Sequence, residues 1–211
     1  MVGDDGAEAD GNEGLAFLDR WIVLAKGWNN KRRSMIVMKR AIDAGAGVGR
    51  VTKSILLKRY DTVRLVEADA HWSSRSKVYL GRKRCQDCTF VNARLEELIP
   101  KTVMEWGEPA DLVWLQWTLQ YLTDVDVVIA LKALASSLVD HTGVMIVKEN
   151  RPYGNARLDR FQLETPCGSV NGRYDITRTD NHHRLLFQQA GLVVEMSEQG
   201  VETNTYGLTL E

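Results

Sequence analysis

The sequence predicts an α/β fold built on a mostly parallel sheet, and three observations carry that prediction. Short apolar or β-branched runs alternate with helix-period segments along most of the chain. A glycine turn, Asp43-Ala-Gly45-Ala-Gly47-Val-Gly49-Arg50, joins a strand to a helix. An acid, Glu67, closes the next strand in V-R-L-V-E. Alternation of this kind calls for βαβ units with right-handed crossovers.

The elements follow in order. Residues 1–14 hold Asp4, Asp5, Glu8, Asp10 and Glu13, four glycines and no base, so a disordered acidic tail is expected there and a single domain over 15–211. Leu15, Leu18, Ile22 and Ala25 keep helical spacing within Leu15–Trp28, and the basic stretch Lys31, Arg32, Arg33, Lys39 and Arg40 reads as a solvated face. Arg40–Asp43 is a strand, Arg50–Arg59 a helix with Ile55 and Leu56 inward, Thr62–Glu67 a strand and His71–Leu80 a helix. Strands follow at Thr89–Ala93 and at Asp111–Gln116, the latter apolar enough to be central. Asp124–Leu138 is a helix opened by Thr123 or Asp124, and Val144–Lys148 is a buried strand. Arg184–Ala190 is a helix stopped by Gly191, before an antiparallel pair over Leu192–Met196 and Thr205–Leu210. Lys101–Pro109 reads as a loop, and Arg151–Asn171 is long enough to be a functional lid.

Composition excludes several classes. With 211 residues, 44% hydrophobic and 26% charged, the chain has enough apolar surface for one core. A net charge of −1 lacks the basic excess of a nucleic-acid binder, and no apolar run reaches the roughly 18 residues of a membrane span. The acidic start has no secretory pattern and the three cysteines cannot all pair, so a cytoplasmic or nuclear location is expected, with neither nucleic acid nor membrane as partner.

The glycine turn narrows the ligand. The dinucleotide fingerprint G-x-G-x-x-G fails from either start, because Arg50 and Thr52 occupy the positions where the third glycine belongs. The spacing suits S-adenosylmethionine instead, whose amino-acid end carries a carboxylate rather than a pyrophosphate. Arg50 is placed to pair with that carboxylate, and Gly45 and Gly47 leave room for the methionine moiety. Glu67 can accept both ribose hydroxyls at the carboxyl edge of the sheet. Together these residues indicate a class I methyltransferase fold.

Further chemistry gathers at the ends of the later strands. Gln116-Trp117 and Tyr121 follow one strand, and Glu149-Asn150 ends the next. Trp117 and Tyr121 can wall in a cationic amine or simply pack in the core; Asn150 can orient a nucleophile or satisfy a loop. Cys85-Gln-Asp-Cys88 is a lone CxxC with no second pair, so free thiols are expected and no metal. His182-His183 reads as surface, and Met35, Met38 and Met145 as core filling.

The stretches AIDAGAGVGRVTKSILL, KVYLG, DLVWLQWTLQYLTD, VMIVKEN and RLLFQQAGL resemble, in the same order, the protein N-terminal methyltransferases. That family methylates the α-amino group of proteins beginning Xaa-Pro-Lys or Xaa-Pro-Arg. The resemblance runs from about Ala41 to Gly191, and LQW, YLTD and VKEN are its narrow motifs. It implies a Rossmann-like, mostly parallel seven-stranded sheet with an antiparallel C-terminal strand and helices on both faces. It further implies cofactor contacts at Gly45, Arg50, Glu67, Leu95, Glu96 and Gln116, and peptide contacts at Trp117, Tyr121, Asn150 and Asp159. The cofactor would be S-adenosyl-L-methionine, leaving as S-adenosyl-L-homocysteine.

The sequence departs from the family's pattern in places. Glu67 stands where the family usually has Asp, and Tyr121 where it often has His. The loop that carries the family's general base has extra residues here, which makes Asp175 the nearest candidate and leaves Asp180 as a helix cap. The family's N-terminal Tyr-Trp lid has no counterpart except Trp21 or Trp28. Asn150 and Asp175 are the expected catalytic pair. Two alternatives stay open: a class I methyltransferase for another amine or a side chain, and a cofactor-binding scaffold without turnover.

Overall fold

The computed structural model describes residues 16–20, 40–153, 157–164, 173–200 and 202–211. The acidic tail, the basic stretch before Arg40, Trp21, Trp28, Met35 and Met38 lie outside these, as does all of the first expected helix beyond residues 16–20. The chain divides into two compact units, Met1–Ala93 and Arg94–Glu211. Seven strands belong to a mostly parallel sheet and two form a separate hairpin.

In the first unit, helical residues 16–20 (α1) bury Phe17 and Leu18, and Asp19 pairs with Arg59 at 3.1 Å. Strands β1 (Arg40–Ala44), β2 (Thr62–Glu67) and β3 (Cys88–Asn92) run parallel in the order β3-β2-β1. Parallel neighbours need crossovers, which α2 (Arg50–Ser54) and α3 (Ala70–Cys85) supply. The helix expected over Arg50–Arg59 gives way at Ile55 to a 3-10 turn, Leu56–Lys58, and the break lets the adjacent Ile55 and Leu56 both bury. Helix α3 outruns its expected end at Leu80: Gly81, at φ 78° and ψ 158°, interrupts it, and helical residues resume to Cys85.

In the second unit, β4 (Leu112–Gln116) pairs parallel with β5 (Val144–Asn150). The last strand, β9 (Thr203–Leu210), lies antiparallel to both β5 and β8 (Leu192–Gln199). Helix α5 (Asp124–Ala135) is capped by Thr123, whose side chain accepts from the Asp126 N–H. Trp114, Val113, Leu131, Leu134, Ile146, Phe187 and Leu208 form the buried centre.

Three expectations need correction. The stretch expected as a loop overlaps α4 (Pro100–Met104), started by a proline at its first turn and too short for periodicity to reveal. The lid region contains β6 (Arg160–Glu164), which pairs antiparallel with β7 (Arg173–Thr177), Gln162 opposite Asp175; five alternating residues among glycines and prolines gave too little pattern. Residues 154–156 and 165–172 of that region lie outside the described residues. Helix α6 (Asp180–Gln189) starts four residues early, and its cap is Thr179, with Asp180 already inside. Gly191, at φ 74°, follows its end as expected.

Gly49 sets the entry to α2. It adopts φ 84°, and a Cβ there would stand 3.2 Å from the Leu65 side chain. A left-handed non-glycine residue costs roughly 1–2 kcal/mol before any crowding. Gly49→Ala is therefore expected to lose about 1–3 kcal/mol of stability, read as a lower urea midpoint with an unchanged slope; an unchanged midpoint would show that the turn relaxes freely.

Candidate active site

The first unit builds its glycine turn from a buried acid. Asp43 Oδ2 accepts from the Thr52 N–H at 3.1 Å and from its hydroxyl at 2.6 Å, tying the start of α2 back to β1. Burial pushes the Asp43 carboxyl up to about 6, although the Thr52 bonds pull the other way. The N–H groups of Gly45 and Ala46 both donate to the Val66 carbonyl, at 2.9 and 3.1 Å, which brings the turn against the end of β2. A Cβ on Gly47, at φ 53°, would point into open space with nothing within 4 Å, so the turn leaves room there for a ligand.

Glu67 meets this turn directly. Its Oε2 accepts from the Gly47 N–H at 2.8 Å and its Oε1 from the Asp69 N–H at 2.9 Å. The Asn92 side chain fixes the strand end by donating to the carbonyls of Glu67 and Ala68, at 2.8 and 3.0 Å. The carboxylate is thus held in one orientation, with lone pairs remaining on each oxygen. The structure brings Gly45, Gly47 and Glu67 together, and Arg50 stands exposed at the first position of α2.

The second unit centres on the turn between β4 and α5. Gln116 accepts from the Trp114 indole at 3.2 Å, and Trp117, at φ 53°, donates its N–H to the Lys148 carbonyl at 3.0 Å. Glu149 and Arg178, both about 1% exposed, then hold the next residues, one as acceptor and one as donor. Glu149 Oε1 accepts from the N–H groups of Thr118 and Leu119, each at 2.8 Å. Arg178 donates to the carbonyls of Leu119 and Leu122, at 2.8 and 2.6 Å, and to Asp124 at 2.9 Å. Burial pushes the Glu149 carboxyl up to about 7, against the pull of those N–H groups and of the Arg178 charge; its Oε2 is buried with no partner among the described residues.

The other expected acceptor residues cluster on the same turn. Asn150 Nδ2 donates to Gln120 Oε1 at 2.9 Å, Tyr121 ends the short helical turn Leu119–Tyr121, and β7, which carries Asp175, packs against that turn. Leu95 is buried, and Glu96 is paired with Arg94.

Asp159, expected to touch a peptide, is engaged elsewhere. It accepts from the Thr179 N–H at 2.7 Å and meets His182 Nδ1, while His182 Nε2 lies 3.0 Å from Asp124 Oδ2. Burial raises the Asp159 carboxyl, but the Thr179 and His182 bonds outweigh it and leave it below the usual carboxylate range. The histidine pair is not a surface pair. His183 is buried against Phe187 and Tyr206, with ring centroids 5.9 and 5.6 Å away, and burial drives it down to about 3. Cys85 and Cys88 are free, and burial pushes the Cys88 thiol up to about 11, which keeps it protonated.

The sequence names Glu149 without a role, reads His182 as surface and gives no sign of Arg178. Glu149 had a signal, an acid beside Asn150 in an otherwise apolar strand. Arg178, in I-T-R-T-D, had none: a lone arginine ahead of a helix cap looks like any surface cation.

The sequence pattern of a family described as AdoMet dependent proline di-methyltransferase matches residues 23–205. The chain belongs to this family. It is 34% identical over 154 residues to the alpha N-terminal protein methyltransferase 1 of Schizosaccharomyces pombe, covering 73% of this chain and 61% of that one. It is 33% identical over 159 residues to an N-terminal Xaa-Pro-Lys N-methyltransferase 1 of Danio rerio, covering 75% and 64%. The chain therefore spans less than two thirds of the length of these two relatives. A solved SAM-dependent methyltransferase of Leishmania major superposes with a TM-score of 0.63 at 29% identity, covering 89% of this chain and 72% of that one. A second, from Clostridium acetobutylicum, gives a TM-score of 0.66 at 14% identity, over 93% and 90%, and establishes the fold alone. The sheet expected of a class I methyltransferase is the one this family member has.

The buried acid gives this methyltransferase-family chain a pH signature. The folded state raises Glu149 from 4.5 to about 7, so between those values it holds a proton that the unfolded chain releases. Stability from this group is full below about pH 4.5 and falls as pH rises to about 7. Glu149→Gln keeps an acceptor without the titration. Urea unfolding from pH 5 to 8 is expected to show the native protein losing roughly 1–3 kcal/mol relative to Glu149→Gln by pH 7; parallel curves would contradict the burial argument.

Proposed function

We propose that this chain transfers a methyl group from S-adenosylmethionine to the α-amino group of protein N-termini of the Xaa-Pro-Lys or Xaa-Pro-Arg type. The observation that carries the reading is the acceptor turn: Trp117, Tyr121 and Asn150 gather around one clamped backbone segment, in a chain of a family whose relatives bear that activity in their names.

The cofactor residues fit their roles. Gly47 gives an open approach beside Gly45, Arg50 offers a cation for the amino-acid carboxylate, and Glu67 presents fixed oxygens for ribose hydroxyls. Leu95, Glu96 and Gln116 complete the proposed set. When bound, S-adenosylmethionine supplies an electrophilic methyl on its sulfonium and leaves as S-adenosylhomocysteine.

The chain's own task is to hold a neutral amine in line. An α-amine has a pKa of about 7.7–8.0, so a useful fraction is neutral at physiological pH and no strong base is required. Asn150 Nδ2 is committed to Gln120, which leaves its Oδ1 to accept an N–H of the amine. Trp117 and Tyr121 flank the amine and the proline ring, and Asp175 takes the released proton directly or through water. Orientation of the nitrogen supplies the larger part of the rate. A cytoplasmic or nuclear location accompanies this reading, since protein N-termini are exposed there.

The test is mass spectrometry of a Ser-Pro-Lys-Arg peptide incubated with protein and S-adenosylmethionine, beside its N-acetylated twin. Whole-methyl gains on the free peptide alone are the expected result, and gains on both, or on neither, would overturn the reading. Asn150→Ala is expected to lower kcat by about a hundredfold or more with cofactor affinity within about twofold; equal loss of both would make Asn150 structural.

A further inference from the structure

We infer that His182 is a positioning residue that fastens the segment entering β6 to the start of α5 and so holds the β6–β7 hairpin beside the acceptor turn. The inference rests on the proposed function for its kinetic readout alone.

Three carboxylate and imidazole groups from separate elements converge here. Asp159 stands directly before β6, Asp124 opens α5 and His182 lies in the first turn of α6. His182 places one ring nitrogen on Asp159 and the other 3.0 Å from Asp124. The second oxygen of each acid is also committed: Asp159 Oδ1 takes the Thr179 N–H at 2.7 Å, and Asp124 Oδ1 takes Arg178 at 2.9 Å. Arg178 in turn holds the carbonyls of Leu119 and Leu122. A continuous hydrogen-bonded path thus runs from the acceptor turn through Arg178, Asp124 and His182 to Asp159.

Side-chain packing adds little next to Asp159. Leu158 is 81% exposed and Phe161 61% exposed, so these two apolar side chains bury little surface. Beyond the β6–β7 ladder, the polar links to Asp159 are what tie this segment to α5 and α6. The partner strand β7 packs on the Leu119–Tyr121 turn, so the hairpin's placement bears on any substrate seated there.

His182 is partly exposed, and its replacement removes the fastening without emptying the core. In His182→Ala, hydrogen exchange is expected to quicken over residues 157–164 with the sheet strands unchanged. The KM for the free Ser-Pro-Lys-Arg peptide should rise about tenfold, with kcat and cofactor Kd within about twofold. Because both changes act through one contact, His182→Ala combined with Asp159→Asn should do no more damage than the worse single change. Unchanged exchange over 157–164, kcat, KM and Kd moving together, or additive losses would each overturn the inference. If the native protein methylates no peptide, the functional reading fails by itself, and the exchange measurement still decides the fastening.

Discussion

The short turn between β4 and α5 cannot complete its own hydrogen bonding, and two buried side chains do it, one accepting and one donating. Glu149 takes N–H groups of Thr118 and Leu119, and Arg178 gives to carbonyls of Leu119 and Leu122. Both side chains are almost fully buried, where a polar or ionised group without partners costs several kcal/mol. The turn's N–H and carbonyl groups supply the partners, so removing either side chain strands the groups it holds. What the clamp secures is the course of the chain from Trp117, at positive φ, through Tyr121, the two residues to which the proposed function gives the substrate amine.

The first unit solves a similar problem with two carboxylates and a backbone carbonyl. Its glycine turn has few side chains to pack, so it is held by what its backbone donates. Asp43 anchors the following helix through Thr52, the Val66 carbonyl gathers the N–H groups of Gly45 and Ala46, and Glu67 takes Gly47. Glu67 thereby acts on the turn, with one oxygen on Gly47 and the other on Asp69.

Much of this was legible in the sequence, for physical reasons. Buried parallel strands such as L-V-W-L-Q are continuous apolar runs, and a strand, glycine turn and helix in succession have few other uses. Thr123 and Gly191 marked helix ends because their chemistry is local. The hairpin β6–β7 and helix α4 were not legible, since five-residue elements carry too little periodicity. Arg178 and His182 escaped for a different reason: each takes its meaning from residues more than twenty positions away, including Leu119, Asp124 and Asp159. Asp159 was singled out, but its carboxylate holds Thr179 and His182. Asn150 was singled out as well, and the structure adds Gln120 as the partner that orients it.

The most direct measurement is a crystal structure of the ternary complex with S-adenosylhomocysteine and a Ser-Pro-Lys peptide. The account predicts the peptide's α-nitrogen within about 3 Å of Asn150 Oδ1, with Trp117 and Tyr121 on either side. It also predicts the Glu149 and Arg178 bonds to the turn unchanged. A peptide amine seated away from this turn, or a turn that has released Glu149 on binding, would contradict it.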